Sequence, residues 1–160
     1  MPNRKLDALD RKILNALQKN ARLSNVELAK QVNLSPSPCL ARVKALSKAG
    51  IIKRHVTLLD PEKLNLSINV FIQISLKQQS EASLATFEQT VTSLPEVLEC
   101  YLMTGDSDYL LRVVVEDVNA LREFILNHLT RINAVSSIRS SLALKQVKYE
   151  TALPIPATHE

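Results

Sequence analysis

The sequence predicts an α+β protein: an N-terminal helix-turn-helix (winged-helix-like) domain, then a C-terminal βαββαβ ferredoxin-like sandwich. Three observations predict it. The first 50 residues hold three amphipathic helical patterns and the tight link Asn33-Leu34-Ser35-Pro36. The rest alternates strand and helix patterns and contains an internal repeat. The charge divides with the patterns: residues 1–60 carry 12 Lys/Arg against 4 Asp/Glu, a net of +8, while residues 61–160 carry 8 against 12, a net of −4. That asymmetry points to a basic module meeting a polyanion, joined to a module with another task. The expected division is a helix-turn-helix domain over 1–60, a linker over 61–67, a ferredoxin-like domain over 68–150, and a poorly ordered tail over 151–160.

The elements follow in order. In LDALDRKILNALQKN the apolar positions Leu6, Leu9, Ile13, Leu14 and Leu17 recur at helical spacing. Asp7 and Asp10 near the start and Lys19 near the end agree with the helix dipole. The second helix begins at SNVELAKQV, where Ser24 and Glu27 form a capping box and Asn33 ends the run. The third begins at LSPSPCLARVKALSKAG. With Ser35 as N-cap, Pro36 and Pro38 fall among the first residues, whose N–H groups have no helical acceptor, so neither proline removes a hydrogen bond. At 100° per residue, Pro36, Cys39, Val43, Leu46 and Gly50 share one side. Ser37, Ala41, Lys44 and Lys48 line the other, with Arg42 flanking. Small residues first and cations later suit a helix that approaches base edges and phosphates. A generic three-helix bundle with a solvated basic face is the plainer alternative. After it, IIKRHVTLLD alternates as a strand, with Lys53 and Arg54 able to flank a nucleic-acid backbone.

In the second half, INVFIQISLK alternates strictly and reads as a strand with one buried face. SEASLATFEQTVTSL is a helix capped by Ser80. EVLECYLMT and DYLLRVVV are strands joined by the turn Gly105-Asp106-Ser107-Asp108. DVNALREFILNHLTRI is a second helix and VSSIRSSLALKQVKYE a last strand. Leu84-x-x-Phe87 with Leu94-Pro95-x-Val97 repeats as Leu121-x-x-Phe124 with Ile132-Asn133-x-Val135, one residue longer. Two split βαβ units put both helices on one sheet face. The other face, with Phe71, Ser75, Ser141 and Ala143, is either wet or packs on a second copy. The small residues favour the second copy.

Composition narrows the function. No run of 18 apolar residues is present, and the N-terminus MPNRKLDALDRK is too polar for a signal peptide, so the protein is expected to be cytoplasmic and off the membrane. Cys39 and Cys100, 61 positions apart, form neither a metal pattern nor a disulfide framework. No His cluster, Cys–His pair or carboxylate pair suggests catalysis. No metal site, cofactor or catalytic residue is expected.

Two stretches, SNVELAKQVNLSPSPCLARVKALSKAGII and CYLMTGDSDYLLRV, closely resemble the Lrp/AsnC (feast/famine) family, in its leucine-responsive branch. The Ser-Pro-x-Pro-Cys helix start together with Gly-Asp-x-Asp-Tyr-Leu carries the likeness, which spans about residues 5–150. It implies a sequence-specific DNA-binding transcriptional regulator of double-stranded DNA. It also implies a homodimer that assembles further, with the octamer as the expected form, and an amino acid effector bound between dimers near the turn that joins the second and third strands. The candidate DNA-binding set is Ser24, Asn25, Ser35, Ser37, Ala41, Arg42, Lys44, Lys48, Lys53 and Arg54. The candidate effector set is Leu102, Met103, Thr104, Gly105, Asp106, Asp108 and Tyr109, with Ser136, Ser137 and Leu142 from a neighbouring subunit.

The effector chemistry is consistent with those residue types. An ammonium needs an acceptor, which Asp106 or Asp108 supplies. A carboxylate needs donors, which backbone N–H groups around Gly105 and the hydroxyls of Ser136 and Ser137 supply. Leu102, Met103 and Leu142 would suit an apolar side chain, so leucine or methionine is expected. Read without the likeness, Gly-Asp-Ser-Asp is an ordinary hairpin turn. The alternative function is an effector-independent, architectural DNA-binding protein.

Overall fold

The computed structural model describes residues 5–156, and its first helix begins where Asp7 caps it. In α1 (Ala8–Lys19) the Asp7 side chain accepts from the Asp10 N–H, and Ile13, Leu14 and Ala16 are buried. In α2 (Asn25–Gln31) the capping box is complete: Glu27 N–H donates to Ser24 Oγ at 3.2 Å and Ser24 N–H to Glu27 Oε2 at 2.7 Å. Asn33, at φ 57°, takes the left-handed turn that ends this helix. Then α3 (Pro36–Lys48) starts on Ser35, whose backbone caps the helix although its hydroxyl makes no capping bond. It ends on Gly50, at φ 72°, with Gly50 N–H donating to Ser47 O and Ile51 N–H to Leu46 O, a Schellman closure. Leu28, Ala29, Val32, Cys39 and Leu46 join the buried α1 residues in the core of this three-helix unit.

The second unit spans residues 59–147. A single 3-10 turn, Glu62–Leu64, precedes β1 (Ile68–Leu76). Then come α4 (Glu81–Thr92), β2 (Val97–Leu102), β3 (Tyr109–Val115), α5 (Val118–Asn127) and β4 (Val135–Leu142). Ser80 and Asp117 cap α4 and α5 through their side chains. The sheet order is β2-β3-β1-β4 with every neighbour antiparallel, the ferredoxin-like arrangement expected from the repeat. Val70, Ile72, Ile74, Leu111 and Val113 face one side, where Phe87, Val91, Leu121 and Phe124 from the helices complete the core. Burial of an apolar side chain is worth about 1.5–3 kcal/mol, and the inward positions of β1 and β3 are nearly all filled this way. The opposite face carries Asn69, Phe71, Gln73 and Ser75 of β1, with Leu110 and Arg112 of β3 and Ser137, Arg139 and Ser141 of β4 in register beside them.

Three expectations change. The strand expected over IIKRHVTLLD is absent, and residues 53–60 run without a ladder. The last strand stops at Leu142 instead of continuing to residue 150. In both places no neighbouring strand supplies the hydrogen bonds that define a strand. The expected poorly ordered tail is anchored as far as it is described. Among the described residues, 148–156 group with 5–58. Leu153 N–H donates to Gln18 Oε1 at 2.6 Å, Gln18 Nε2 donates back to Leu153 O at 3.1 Å, and Arg11 donates to Pro156 O. Ile155 packs on the three-helix core. Residues 157–160 of the expected tail, and residues 1–4 of the expected first domain, lie outside the described residues.

Candidate DNA-binding face and effector turn

On α3 the outward stripe takes the form its helical wheel predicts. Ser37, Ala41, Lys44 and Lys48 are all exposed, while Cys39 and Leu46 are fully buried beneath them. Small side chains occupy the N-terminal half and cations the C-terminal half. Ser35 is exposed at the helix start, and Lys53 and Arg54 are exposed just after the helix. The arrangement gives the helix a close-approach end and a charged end.

Three members of the candidate set have other work. Ser24 is engaged in the capping box, which also holds the Glu27 carboxyl below its ordinary range, chiefly through the Ser24 side chain. Asn25 is half-buried, and its Nδ2 donates to the Pro36 carbonyl at 2.8 Å, tying α2 to the first turn of α3. Arg42 does not reach outward. Its Nη1 lies 2.6 Å from Asp7 Oδ2 and 2.9 Å from Asp10 Oδ1, the latter on a side chain only 2% exposed. The Asp10 N–H and then the Arg42 guanidinium hold the Asp7 carboxyl below its usual value, and the two carboxylates raise the guanidinium in turn. The sequence carried a partial signal for this clamp, since two aspartates in the first turn of a helix are free to serve a neighbour as well as the dipole.

The turn between β2 and β3 runs from Met103 to Asp108 and is closed by Met103 N–H donating to Asp108 O at 2.8 Å. Gly105, at φ 116°, adopts a conformation that favours glycine. Leu102, Met103, Thr104 and Asp106 are exposed. Asp108 is not. Its Oδ2 accepts from Leu76 N–H and its Oδ1 from Gln79 Nε2, each at 2.6 Å, so the side chain ties off the end of β1. Tyr109 is a core residue at 1% exposure. Its hydroxyl donates to Glu88 Oε1 at 2.7 Å, its ring stacks on Phe87 with centroids 4.5 Å apart, and burial drives its hydroxyl pKa far up. Both residues were expected to meet the effector. Strand alternation and strand-end capping place them in the framework instead.

Within one chain, β1 brings the start of β4 near this turn: Ile74 faces Tyr109 on one side and Ile138 on the other, and Ser75 faces Ser137. Ser136 Oγ donates to the Ser75 carbonyl at 2.9 Å. Leu142 pairs with Val70, five residues further along β4 than Ser137 and so roughly 17 Å away at strand rise. One chain therefore puts Ser137 at the same end of the sheet as the turn, with β3 and β1 between β2 and β4, and leaves Leu142 towards the other end.

The comparisons agree with this geometry unit by unit. Residues 6–53 match the family model of a winged helix-turn-helix DNA-binding domain, and residues 69–153 match the Lrp/AsnC ligand binding domain. The leucine-responsive regulatory proteins of Escherichia coli K12 and Klebsiella pneumoniae are each 42% identical over 96% of this chain and 94% of their own length. A crystal structure of a Neisseria meningitidis transcriptional regulator in complex with L-Met is 44% identical, covers 94% of this chain and 97% of its own, and superposes with a TM-score of 0.90. An AsnC family transcriptional regulator from Agrobacterium tumefaciens is 43% identical over 93% and 97%, with a TM-score of 0.88.

Proposed function

The chain belongs to the Lrp/AsnC family of DNA-binding transcriptional regulators, which bind amino-acid effectors and are not enzymes, and from that premise we propose how its two units divide the work. The N-terminal unit lays α3 in the major groove of double-stranded DNA. Ser37 and Ala41 stand against base edges, and Lys44, Lys48, Lys53 and Arg54 meet phosphates. The exposed stripe, small and then basic, is the observation that carries this reading.

The second unit takes a free amino acid at the Met103–Asp108 turn. Asp106, exposed and without a hydrogen bond among the described residues, receives the ammonium. Backbone N–H groups around Gly105 receive the carboxylate. Leu102 and Met103, 63% and 41% exposed, offer an apolar wall. The second carboxylate of the turn, Asp108, already accepts from Leu76 N–H and Gln79 Nε2, and with the apolar wall leucine or methionine is the favoured effector. The L-Met bound to the Neisseria regulator supports the choice.

The unit also assembles. Copies pack through the sheet face that α4 and α5 leave uncovered, where Phe71 is 38% and Tyr101 51% exposed. Leu144 and Val147, at 95% and 89%, add apolar surface that a single chain leaves in water. Dimers then join into a larger ring, an octamer, which places Ser136, Ser137 and Leu142 of one copy by the turn of another. Effector binding shifts that assembly and so the number of DNA-binding units that engage together.

A thermal-shift screen against the twenty amino acids tests this, with light-scattering mass measured with and without each ligand. A rise in melting temperature for leucine or methionine, accompanied by a change in mass, is the expected result. No shift for any amino acid would favour the effector-independent architectural reading.

A further inference from the structure

The recognition helix is fixed at two heights by polar bonds to two different helices. At its first turn, Asn25 of α2 holds the Pro36 carbonyl at 2.8 Å. Six residues on, about 9 Å along the axis, Arg42 bridges Asp7 and Asp10 of α1 at 2.6 and 2.9 Å. Asp7 uses its other oxygen to cap α1, so the bridge ties the start of one helix to the middle of the other. Arg42 is half-buried, with its side chain 29% exposed, whereas Lys44 and Lys48 on the same helix stand in solvent. Two anions already occupy Nη1.

Phosphate contacts supply affinity to any sequence, while discrimination needs a few side chains held in register with base edges. A helix free to roll or slide keeps the first and loses the second. We propose that Arg42 and Asn25 are positioning residues that set the roll and axial placement of α3 for sequence discrimination, and that Arg42 makes no phosphate contact. The inference rests on the reading that α3 enters the major groove.

The test uses the intact protein and two duplexes: one enriched by the wild-type protein from a random pool, and a scrambled duplex of equal length and composition. Affinity is measured on both as a function of salt, well below the melting temperature of each variant. Arg42→Gln should bind the enriched duplex at least about tenfold more weakly, the worth of one base contact. Its affinity for the scrambled duplex and its salt slope should stay at wild-type values. Arg42→Lys covers the case in which Gln fails to fold. It keeps the charge, but its nitrogen sits one bond nearer the backbone than Nη1, the single atom that meets both carboxylates, so it should lose discrimination in the same way. Asp7→Asn preserves a good N-cap and should lower discrimination without weakening the scrambled duplex. Lys44→Ala, by contrast, should weaken both duplexes in parallel.

A general loss of stability does not change the ratio of the two affinities at that temperature, so the ratio separates positioning from mere folding. Arg42→Gln lowering both affinities together, with the salt slope reduced by about 0.9, would make Arg42 a phosphate contact and overturn the inference. So would an unchanged ratio in both Arg42 variants. A wild-type protein that enriches no duplex would overturn the groove reading itself, and the inference with it.

Discussion

At the scale of single residues, two carboxylates, Asp7 and Asp108, carry stability through the bonds they accept. The Asp7 carboxyl is held below its ordinary value by the Asp10 N–H and by Arg42. A depressed carboxyl contributes stability that is complete above its unfolded value and disappears as pH falls through its folded one. The N-terminal unit should therefore lose stability below about pH 4 more steeply in the wild-type protein than in Asp7→Asn, a contrast that melting curves between pH 7 and 3 would display. Asp108 acts through hydrogen bonds at the end of β1. Asp108→Ala would strand the Leu76 N–H and cost about 1–3 kcal/mol, measurable by urea denaturation, whereas Asp106→Ala should leave the midpoint unchanged and reduce the effector response. The motif Gly-Asp-Ser-Asp-Tyr suggests a run of ligand contacts. Strand alternation qualifies that suggestion from the same letters, because Tyr109, Leu111 and Val113 fall on one face and that face is buried.

At the scale of elements, what was legible was local. Ser24 and Ser80, read as caps, accept capping bonds through their side chains, because a cap acts within three residues of itself, whereas Ser35 caps by its backbone alone. The strict alternation of β1 survives as its inward and outward faces. The helical wheel of α3 puts Lys44 and Lys48 outward and Arg42 on the flank, as found, but the pairing of Arg42 with Asp7 and Asp10 was not legible, since a wheel contains no information about the carboxylates of another helix. The strands expected over 51–60 and beyond Leu142 fail for a related reason: alternation describes faces, and only a neighbour provides a ladder. On α3 itself, Lys44→Ala should reduce DNA affinity by a similar factor for every sequence and reduce the salt slope by about 0.9. Binding titrations at several salt concentrations would measure it, and an unchanged slope would remove Lys44 from the phosphate contacts.

At the scale of the whole molecule, the charge split and the internal repeat announced two units, and two units are present. The first boundary, expected after residue 60, lies after residue 58, but the return of the chain to the first unit was not legible. The N-terminal unit is discontinuous and includes residues from 148 onward, held by Gln18, Arg11 and the apolar contact of Ile155. Contacts across 135 and 145 positions leave no local trace, although Leu153 and Ile155, each followed by a proline, are apolar enough to have raised the question. Removing residues 151–160 should lower the stability of the N-terminal unit by about 1–3 kcal/mol. Amide exchange along α1 would register that loss while the sheet of the second unit keeps its protection.

That discontinuity also orders events during synthesis. Gln18 leaves the ribosome early, and Leu153, which it grips from both sides, emerges only after the entire four-stranded sheet has been made. The three helices can form long before, but the last hydrogen bonds of Gln18 and Arg11 wait for residues 153–156. A nascent or prematurely terminated chain therefore carries an unfinished DNA-binding unit, and completion of that unit reports that the second unit has been translated.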